Sequence, residues 1–277
     1  MSKIYKIQDN KIYITNSSDF NIKHICECGQ MFRYYVEGEK YTIISSFERA
    51  VISPLNGGYE IECSNVDYFI SYFDLDTDYS AIKKSLCGEI MTKAVNYGYG
   101  IRILKQDLFE MIISFILSAN NNIKRIQKSL EYICINCGEK RDGYYAFPTL
   151  EKLSECNEEF FKKAGAGYRA SYLVSTIKTL LTYPLQNLPT LSTSEARKEL
   201  MSFKGIGRKV ADCILLFGLA RQDVFPVDTW IEKVYKDYFY EGEKTREDIS
   251  KFLTDKFGVL SGYAQQYIFY YRRTNEK

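Results

Sequence analysis

The sequence predicts an α+β fold, with an N-terminal antiparallel β-sheet followed by a mainly α-helical body. Two observations carry this prediction. Residues 3–65 contain short β-branched or aromatic segments separated by turn signals. From about Asp67 onward the apolar residues recur at three- and four-residue spacing, which is the period of an amphipathic helix. We therefore expect a sheet domain with flanking helices at residues 1–98 and a helical region at residues 99–277.

The expected strands are short and alternate between apolar and polar residues. Turn residues such as Asp9-Asn10 and Asn56-Gly57-Gly58 separate neighbouring segments, and such residues tolerate the left-handed conformations that tight turns need. An antiparallel sheet fits these short connections. The predicted strand segments are KIYKIQ, KIYITN, YTIISSF, AVISP and YEIEC.

The clearest helical period lies between Asp107 and Ala119, where Asp107 is placed to cap the helix. Asn120, Asn121 and Asn122 then interrupt the apolar pattern. Further helices are expected over seven ranges: 123–134, 168–181, 194–201, 209–219, 229–239, 246–257 and 263–272.

Composition describes an ordinary globular chain and indicates no function. Of 277 residues, 45% are hydrophobic and 26% are charged, and the net charge is only +2. Bulk electrostatics therefore gives no reason to expect a nucleic-acid partner. No segment has the apolar length of a membrane span, and the N-terminus lacks the apolar core of a signal peptide. We expect a cytoplasmic protein.

The eight cysteines are expected to be thiols, because disulfides are rare in a reducing compartment. Cys26 with Cys28 and Cys134 with Cys137 are spaced suggestively, but a closed zinc site needs four ligands. The single histidine, His24, lies beside the first pair alone. Buried or free thiols are therefore favoured over a metal site, and we expect neither a metal nor a cofactor.

The most informative segment is FKGIGRKVA, at residues 203–211. Gly205 and Gly207 flank one apolar residue, which permits a tight turn between two helices. Free amides at the start of the following helix form a phosphate site without net positive charge, and Lys204 and Arg208 add two cations at its edge. A plain helix connection with a glycine cap is the alternative. With Lys209 at its fixed offset, this segment (hairpin 203–209) resembles the helix-hairpin-helix of the HhH-GPD superfamily of DNA glycosylases.

That resemblance implies a helical body of two subdomains and a pair of catalytic residues. Asp228, in the segment FPVDT, follows nineteen residues after Lys209 and is placed to cap the next helix. In the superfamily, this carboxylate faces the hairpin lysine. An amine can attack the anomeric carbon of a deoxyribose, and a carboxylate stabilises the positive charge that develops on the sugar. Lys209 is thus expected to be the nucleophile and Asp228 its partner.

Further segments resemble the 8-oxoguanine DNA glycosylases of the eukaryotic type. The segment GQMFR, starting at Gly29, is similar to that family's G-Q-x-F-R strand, in which the glycine carbonyl accepts a hydrogen bond from the N7 proton of the oxidised base. Gln265 aligns with a glutamine that reads the base edge. Phe269 and Cys213 align with residues that stack on the two faces of the base. The resemblance therefore implies duplex DNA containing 8-oxoguanine as the partner.

The DNA contacts are implied by two more motifs. SANNNIKR, which contains Asn120 and Arg125, is similar to the family's S-x-N-N-N-I-x-R. GAGYR, which contains Tyr168 and Arg169, matches its G-x-G-Y-R. The resemblance implies that Asn120 fills the space of the flipped base and that Tyr168 wedges into the stack. Arg125 and Arg169 would contact the unpaired base, which implies a preference for cytosine opposite the lesion.

Two positions depart from the pattern: Trp230 stands where the family has a histidine near the DNA phosphate, and Met31 replaces a serine beside Gln30. The expected protein is a monomeric, bifunctional glycosylase and AP lyase, nucleoid-associated if the organism is bacterial. Two alternatives stay open at this point: a non-catalytic helix-hairpin-helix DNA-binding module, and a glycosylase for a different damaged base. The absence of cysteine after residue 213 argues against the iron–sulfur members of the superfamily.

Overall fold

The computed structural model describes residues 3–275. Eight strands form a six-stranded sheet and a separate two-stranded hairpin. They are β1 (Tyr5–Gln8), β2 (Lys11–Ile14), β3 (Tyr34–Glu37), β4 (Lys40–Ser45), β5 (Glu48–Leu55), β6 (Gly58–Cys63), β7 (Lys140–Arg141) and β8 (Tyr144–Tyr145).

Fourteen α-helices account for most of the remaining described residues. They are α1 (Ile22–Glu27), α2 (Val66–Tyr72), α3 (Tyr79–Ser85), α4 (Glu89–Tyr97), α5 (Leu108–Ser118), α6 (Ile123–Cys137), α7 (Leu150–Ser154), α8 (Glu158–Lys163), α9 (Arg169–Leu180), α10 (Thr193–Ser202), α11 (Arg208–Gly218), α12 (Thr229–Tyr238), α13 (Arg246–Phe257) and α14 (Ser261–Asn275).

The chain forms two compact units that do not follow chain order. The first unit comprises residues up to Ile43, Arg49–Lys105 and the residues from Ala220 onward. The second comprises Ile44–Glu48 and Gln106–Leu219. The expected division at residue 98 stays a prediction, because these units are defined in space and the prediction concerned segments of the chain.

The predicted N-terminal antiparallel sheet is confirmed. Its strand order is β1-β2-β6-β5-β4-β3, and β2 pairs with β6 in the register Ile12↔Ile61. Asp9 and Asn10 both have positive φ, which is what a two-residue turn between β1 and β2 requires. Ile12 and Ile61 are fully buried in a core that α1 and α2 also supply with apolar residues.

Residues 29–33 differ from the prediction, since the expected G-Q-x-F-R strand is irregular and β3 begins at Tyr34. Gln30 accounts for the difference, because its fully buried side chain forms hydrogen bonds with main-chain groups that would otherwise pair with a neighbouring strand. Its Nε2 donates to the carbonyl of Arg102 at 2.8 Å and to that of Ile25 at 3.1 Å, while its Oε1 accepts from the Leu104 amide at 2.9 Å.

The buried guanidinium group of Arg102 connects separate segments of the first unit. The Arg102 side chain is fully buried, and its guanidinium lies 4.0 Å from the centroid of the Tyr79 ring. Three of its bonds to main-chain carbonyls measure 2.7–3.1 Å. The carbonyls it reaches are those of Asp19, Phe73, Asp74 and Thr77. The planar fork of an arginine thus satisfies carbonyls from two separate segments at once.

In the second unit, α5 packs along α11. The Phe115 and Phe217 rings stack with centroids 5.6 Å apart. Gly218 allows this close approach, because a Cβ there would lie 3.2–3.3 Å from side-chain atoms of Leu108 and Met111. The predicted cap of α5 is present, since Asp107 accepts from the amide of Glu110 at 2.8 Å. No helix among residues 3–275 combines the length and the apolar content needed to span a bilayer.

We predict that Arg102→Met lowers the free energy of unfolding by at least about 3 kcal/mol, because it leaves several buried carbonyls without donors at about 1–3 kcal/mol each. Urea unfolding measures this change. Lys251→Met is the matched control, since Lys251 forms an exposed ion pair with Asp255, a kind of pair that contributes about 0–1 kcal/mol. Equal losses in both variants would contradict the role assigned to Arg102.

Candidate functional site

The predicted hairpin is present between α10 and α11. Gly205 has φ +89°, and a Cβ there would lie 2.5–2.8 Å from atoms of Tyr172. Ile206 is buried between the glycines, and its amide donates to the Phe203 carbonyl at 3.1 Å. Gly207 is the N-cap of α11 and supplies no side-chain hydrogen bond to the first turn. No side chain of the N-cap residue therefore competes with an anion for the amides of that turn.

Lys209 lies in the first turn of α11, half-buried, with its Nζ 5.9 Å from the centroid of the Phe115 ring. Cys213 follows one helical turn later and is buried. Residues four apart share a helix face, so the amine and the thiol lie on the same side of α11, as expected. An amine beside an aromatic ring at a helix N-terminus is shielded from bulk water on one side.

Arg208 has a partner that the sequence analysis did not identify. Its Nε lies 3.3 Å from Oδ2 of Asp212, while Nε of Arg197 in α10 lies 2.6 Å from Oδ1 of the same carboxylate. Asp212 is almost fully buried, and its burial raises the pKa of that carboxyl while the two guanidinium groups oppose the shift. The i,i+4 spacing of Arg208 and Asp212 was the available signal.

Lys204 contributes to the hairpin through both its main chain and its side chain. Its carbonyl accepts from the Thr176 hydroxyl of α9 at 3.1 Å, which fixes the entry to the turn. Its side chain is exposed, with Nζ 5.9 Å from the Tyr172 ring centroid. Lys204 therefore presents the exposed charge that the motif predicted for the edge of the hairpin.

Three predicted DNA-binding residues come together in the second unit. Arg169 is buried, with Nε 2.6 Å from the Ala119 carbonyl and Nη2 2.6 Å from the Asn120 carbonyl. Its guanidinium carbon lies 4.4 Å from the centroid of the Tyr168 ring, which is 56% exposed. Arg169 thus contacts the exposed Tyr168 ring and holds the Asn120 loop through two of its main-chain carbonyls.

The three consecutive asparagines make different contacts. Asn120 is exposed and has φ +47°, Asn121 donates to the Leu117 carbonyl at 3.0 Å, and Asn122 accepts from the amide of Arg125 at 3.0 Å. Asn121 thereby satisfies a carbonyl at the end of α5, and Asn122 caps the start of α6. Arg125 is left exposed in the first turn of α6.

In the first unit, Asp228 caps α12 as predicted. Its Oδ1 accepts from the amides of Trp230 at 2.9 Å and Ile231 at 3.0 Å. Two amide donors hold the carboxylate in one orientation. Trp230 is half-buried, and the ammonium of Lys233 lies 4.9 Å from the centroid of its ring.

Gly29 and α14 form the other candidate surface of the first unit. Gly29 has φ +88°, a conformation that other residues rarely adopt, and a Cβ there would lie 3.1 Å from Cε1 of Phe269, closer than an ordinary contact. Gln266 donates to the Cys28 carbonyl at 2.7 Å, which anchors the loop to α14. For the carbonyl of Gly29 itself, no donor is found among the described residues.

Gln265 has the character expected of a ligand-reading residue. Its side chain is buried, yet its Oε1 has no hydrogen-bond partner within residues 3–275. Buried amide oxygens are nearly always bonded, so an exception calls for a ligand or another explanation. Phe269, one turn further along α14, is half-buried.

The predicted site residues are divided between the two units. Asn120, Arg125, Tyr168, Arg169 and the hairpin residues with Lys209 and Cys213 belong to the second unit, whereas the first contains Gly29, Asp228, Trp230, Gln265 and Phe269. All eight cysteines are thiols. In the described part of the chain, no group of three acidic, histidine or cysteine side chains is arranged to hold a metal ion.

Comparison with known families and structures identifies the chain. Residues 12–112 match the 8-oxoguanine DNA glycosylase N-terminal domain, and residues 113–258 match the HhH-GPD superfamily of base excision DNA repair proteins. The 8-oxoguanine glycosylase/lyase of Clostridium acetobutylicum, solved in complex with dsDNA containing cytosine opposite to 8-oxoG, is 37% identical with a TM-score of 0.94, over 100% of both chains.

Curated relatives agree with this result. An N-glycosylase/DNA lyase of Saccharomyces cerevisiae is 30% identical over 88% of this chain and 74% of its own length. One of Arabidopsis thaliana is 35% identical over 61% of this chain, and the match spans about half (51%) of that relative. The chain therefore belongs to the HhH-GPD superfamily of base excision DNA repair proteins, in the branch that carries the 8-oxoguanine DNA glycosylase N-terminal domain.

Proposed function

We propose that this protein is a bifunctional DNA glycosylase and AP lyase that excises 8-oxoguanine from duplex DNA. One observation carries the proposal: the chain matches an 8-oxoguanine glycosylase/lyase over the full length of both proteins and has a lysine in the first turn of its hairpin helix. A lysine at that point supplies the nucleophile that a lyase needs. The protein acts as a monomer where chromosomal DNA lies, which is the cytoplasm if the organism is bacterial.

Lys209 is the proposed nucleophile. Its neutral amine forms a bond to the anomeric carbon while the bond from that carbon to the base breaks, and the base leaves with the electron pair and takes up a proton. Opening of the sugar ring gives an imine between the lysine nitrogen and the carbon. Loss of a proton from the adjacent carbon then expels the 3′-phosphate, which nicks the strand.

Asp228 is the proposed electrostatic partner. Positive charge develops on the deoxyribose as the base departs, and a fixed carboxylate stabilises it more effectively than mobile water does. Its two amide donors support this role, because they orient the carboxylate before the substrate arrives.

Base recognition is assigned to four residues. The Gly29 carbonyl accepts a hydrogen bond from the N7 proton that 8-oxoguanine has and guanine lacks, so guanine would present a lone pair to a lone pair. The side-chain amide of Gln265 reads the base edge, and Cys213 and Phe269 cover the two faces of the base. The unpartnered oxygen of Gln265 supports this assignment.

The DNA backbone and the vacated space are assigned to the remaining predicted residues. The amides around Gly205 and Gly207, with Lys204 and Arg208, bind a phosphate, and Trp230 contacts the backbone nearby. Asn120 and Tyr168 fill the space that the flipped nucleotide leaves. Arg125 and Arg169 recognise the unpaired cytosine, with Arg125 the more exposed of the two.

We predict that Lys209→Gln abolishes strand cleavage and the covalent adduct trapped by borohydride, because the nucleophile is removed. Binding to 8-oxoguanine duplex should stay within about threefold, since the hairpin amides are retained. Lys198→Gln, at an exposed position of α10, is the control and should trap normally. Strong DNA binding without an adduct in the unaltered protein would favour the non-catalytic module instead.

We predict that Asp228→Asn lowers the single-turnover rate of base release by about 10²–10³-fold, which is typical for loss of one electrostatic stabiliser. Asparagine can still accept from the α12 amides, so the melting temperature should change little. If the melting temperature falls sharply and the unfolded fraction accounts for the whole loss of rate, Asp228 acts only as a helix cap.

We predict that excision is fastest opposite cytosine and that Arg125→Ala reduces this preference, because its exposed guanidinium is free to reach the unpaired base. The measurement compares four duplexes that differ only in the base opposite 8-oxoguanine. Lys124→Ala is the control, as a neighbouring exposed cation. Equal rates on all four duplexes would remove this assignment without affecting the proposed activity.

A further inference from the structure

A cation lies beside two of the proposed base-recognition residues. The Arg273 guanidinium carbon of α14 is 5.0 Å from the centroid of the Phe269 ring. Its Nη2 donates to the Glu27 carbonyl. A Cβ on Gly29 would lie 2.6 Å from its Nη1, so the space left by the missing side chain is where this group sits. Arg273, Phe269 and Gly29 are thus in mutual contact.

The stacked guanidinium changes the electrostatic environment that a base meets at the Phe269 ring. The face of an aromatic ring carries partial negative charge, and a cation over one face is attracted to it. Once Arg273 occupies one face, the charge of its guanidinium opposes the approach of a second cation to the other. A neutral base does not experience this charge repulsion and still gains the stacking contact.

The Gly29 carbonyl discriminates by what is attached to N7 and does not repel a positively charged base. A carbonyl oxygen that accepts from an N7 proton also attracts a purine ring that carries positive charge. Alkylation at N7 of a purine creates such a ring, whereas 8-oxoguanine is neutral. A methyl group on N7 would crowd the carbonyl sterically, but the carbonyl dipole still attracts a positively charged ring, so a fixed positive charge nearby adds an electrostatic repulsion that the carbonyl does not supply.

Resting on the proposed function, we propose that Arg273 is a specificity-determining residue whose fixed charge, held on Phe269 and beside Gly29, excludes cationic alkylated purines and admits 8-oxoguanine. With the guanidinium carbon 5.0 Å from the ring centroid and a base stacked about 3.5 Å away on the opposite face, about 8 Å separates the two charges. At an effective dielectric constant of about 20, their repulsion lowers the rate for a cationic base by roughly 10- to 100-fold.

The test compares the single-turnover excision of 8-oxoguanine and of 7-methylguanine from duplexes that are otherwise identical, after subtraction of spontaneous loss. Arg273→Met keeps the length of the side chain and removes the charge, whereas Arg273→Lys keeps the charge and loses the planar stack. Lys23→Met is the matched control, because Lys23 and Arg273 line the same cavity and Lys23 is not among the residues stacked on Phe269.

The expected result is that the ratio of the two rates falls at least about tenfold in Arg273→Met and stays within about threefold of the original in Arg273→Lys and Lys23→Met. An unchanged ratio in Arg273→Met overturns the proposal, as does an equal fall in Arg273→Lys. If Arg273→Met does not fold, Arg273→Gln decides by the same ratio. Failure of the unaltered protein to excise 8-oxoguanine would contradict the proposed function, a result separate from any change in this ratio.

Discussion

The buried guanidinium group of Arg102 is the constraint on which the first unit depends. This group donates to carbonyls in the segments around Asp19 and around Phe73–Thr77. The main-chain carbonyl of Arg102 accepts from the side chain of Gln30. Gln30 is the residue that follows Gly29. The conformation of the candidate recognition loop is therefore linked, through one amide side chain, to a charge that has no access to water. A loop held in this way is fixed before any substrate binds, and the recognition proposed for Gly29 requires such a fixed carbonyl.

Local signals predicted the elements whose ends are set by local contacts. Helix α13 begins and ends as predicted, because Thr245 and Asp248 form a capping box at its start and Gly258 ends it. The hairpin between α10 and α11 was predicted for the same reason, since two glycines and one buried isoleucine determine the turn. Family resemblance added the identity of the chain, which composition and charge could not supply.

Contacts between distant segments could not be predicted from one sequence. The irregular course of residues 29–33 depends on Gln266, whose partner Cys28 is 238 residues away, and on Arg102. The burial of Asp212 between Arg197 and Arg208 depends on how two helices pack. Likewise, the sequence did not reveal that Arg169 is buried against the Tyr168 ring and bonds the carbonyls of Ala119 and Asn120. In each case the residue type was visible and its partner was not.

The three consecutive asparagines have a consequence for how this chain can change over time. Asn120 needs a residue that tolerates a left-handed backbone, Asn121 needs a donor for a helix-end carbonyl, and Asn122 needs an acceptor for a helix-start amide. Glycine suits the first position and aspartate the third, whereas both lack the side-chain donor that the second position requires. The three asparagines thus meet three different structural requirements, so tolerance of a substitution at one position gives no information about its neighbours.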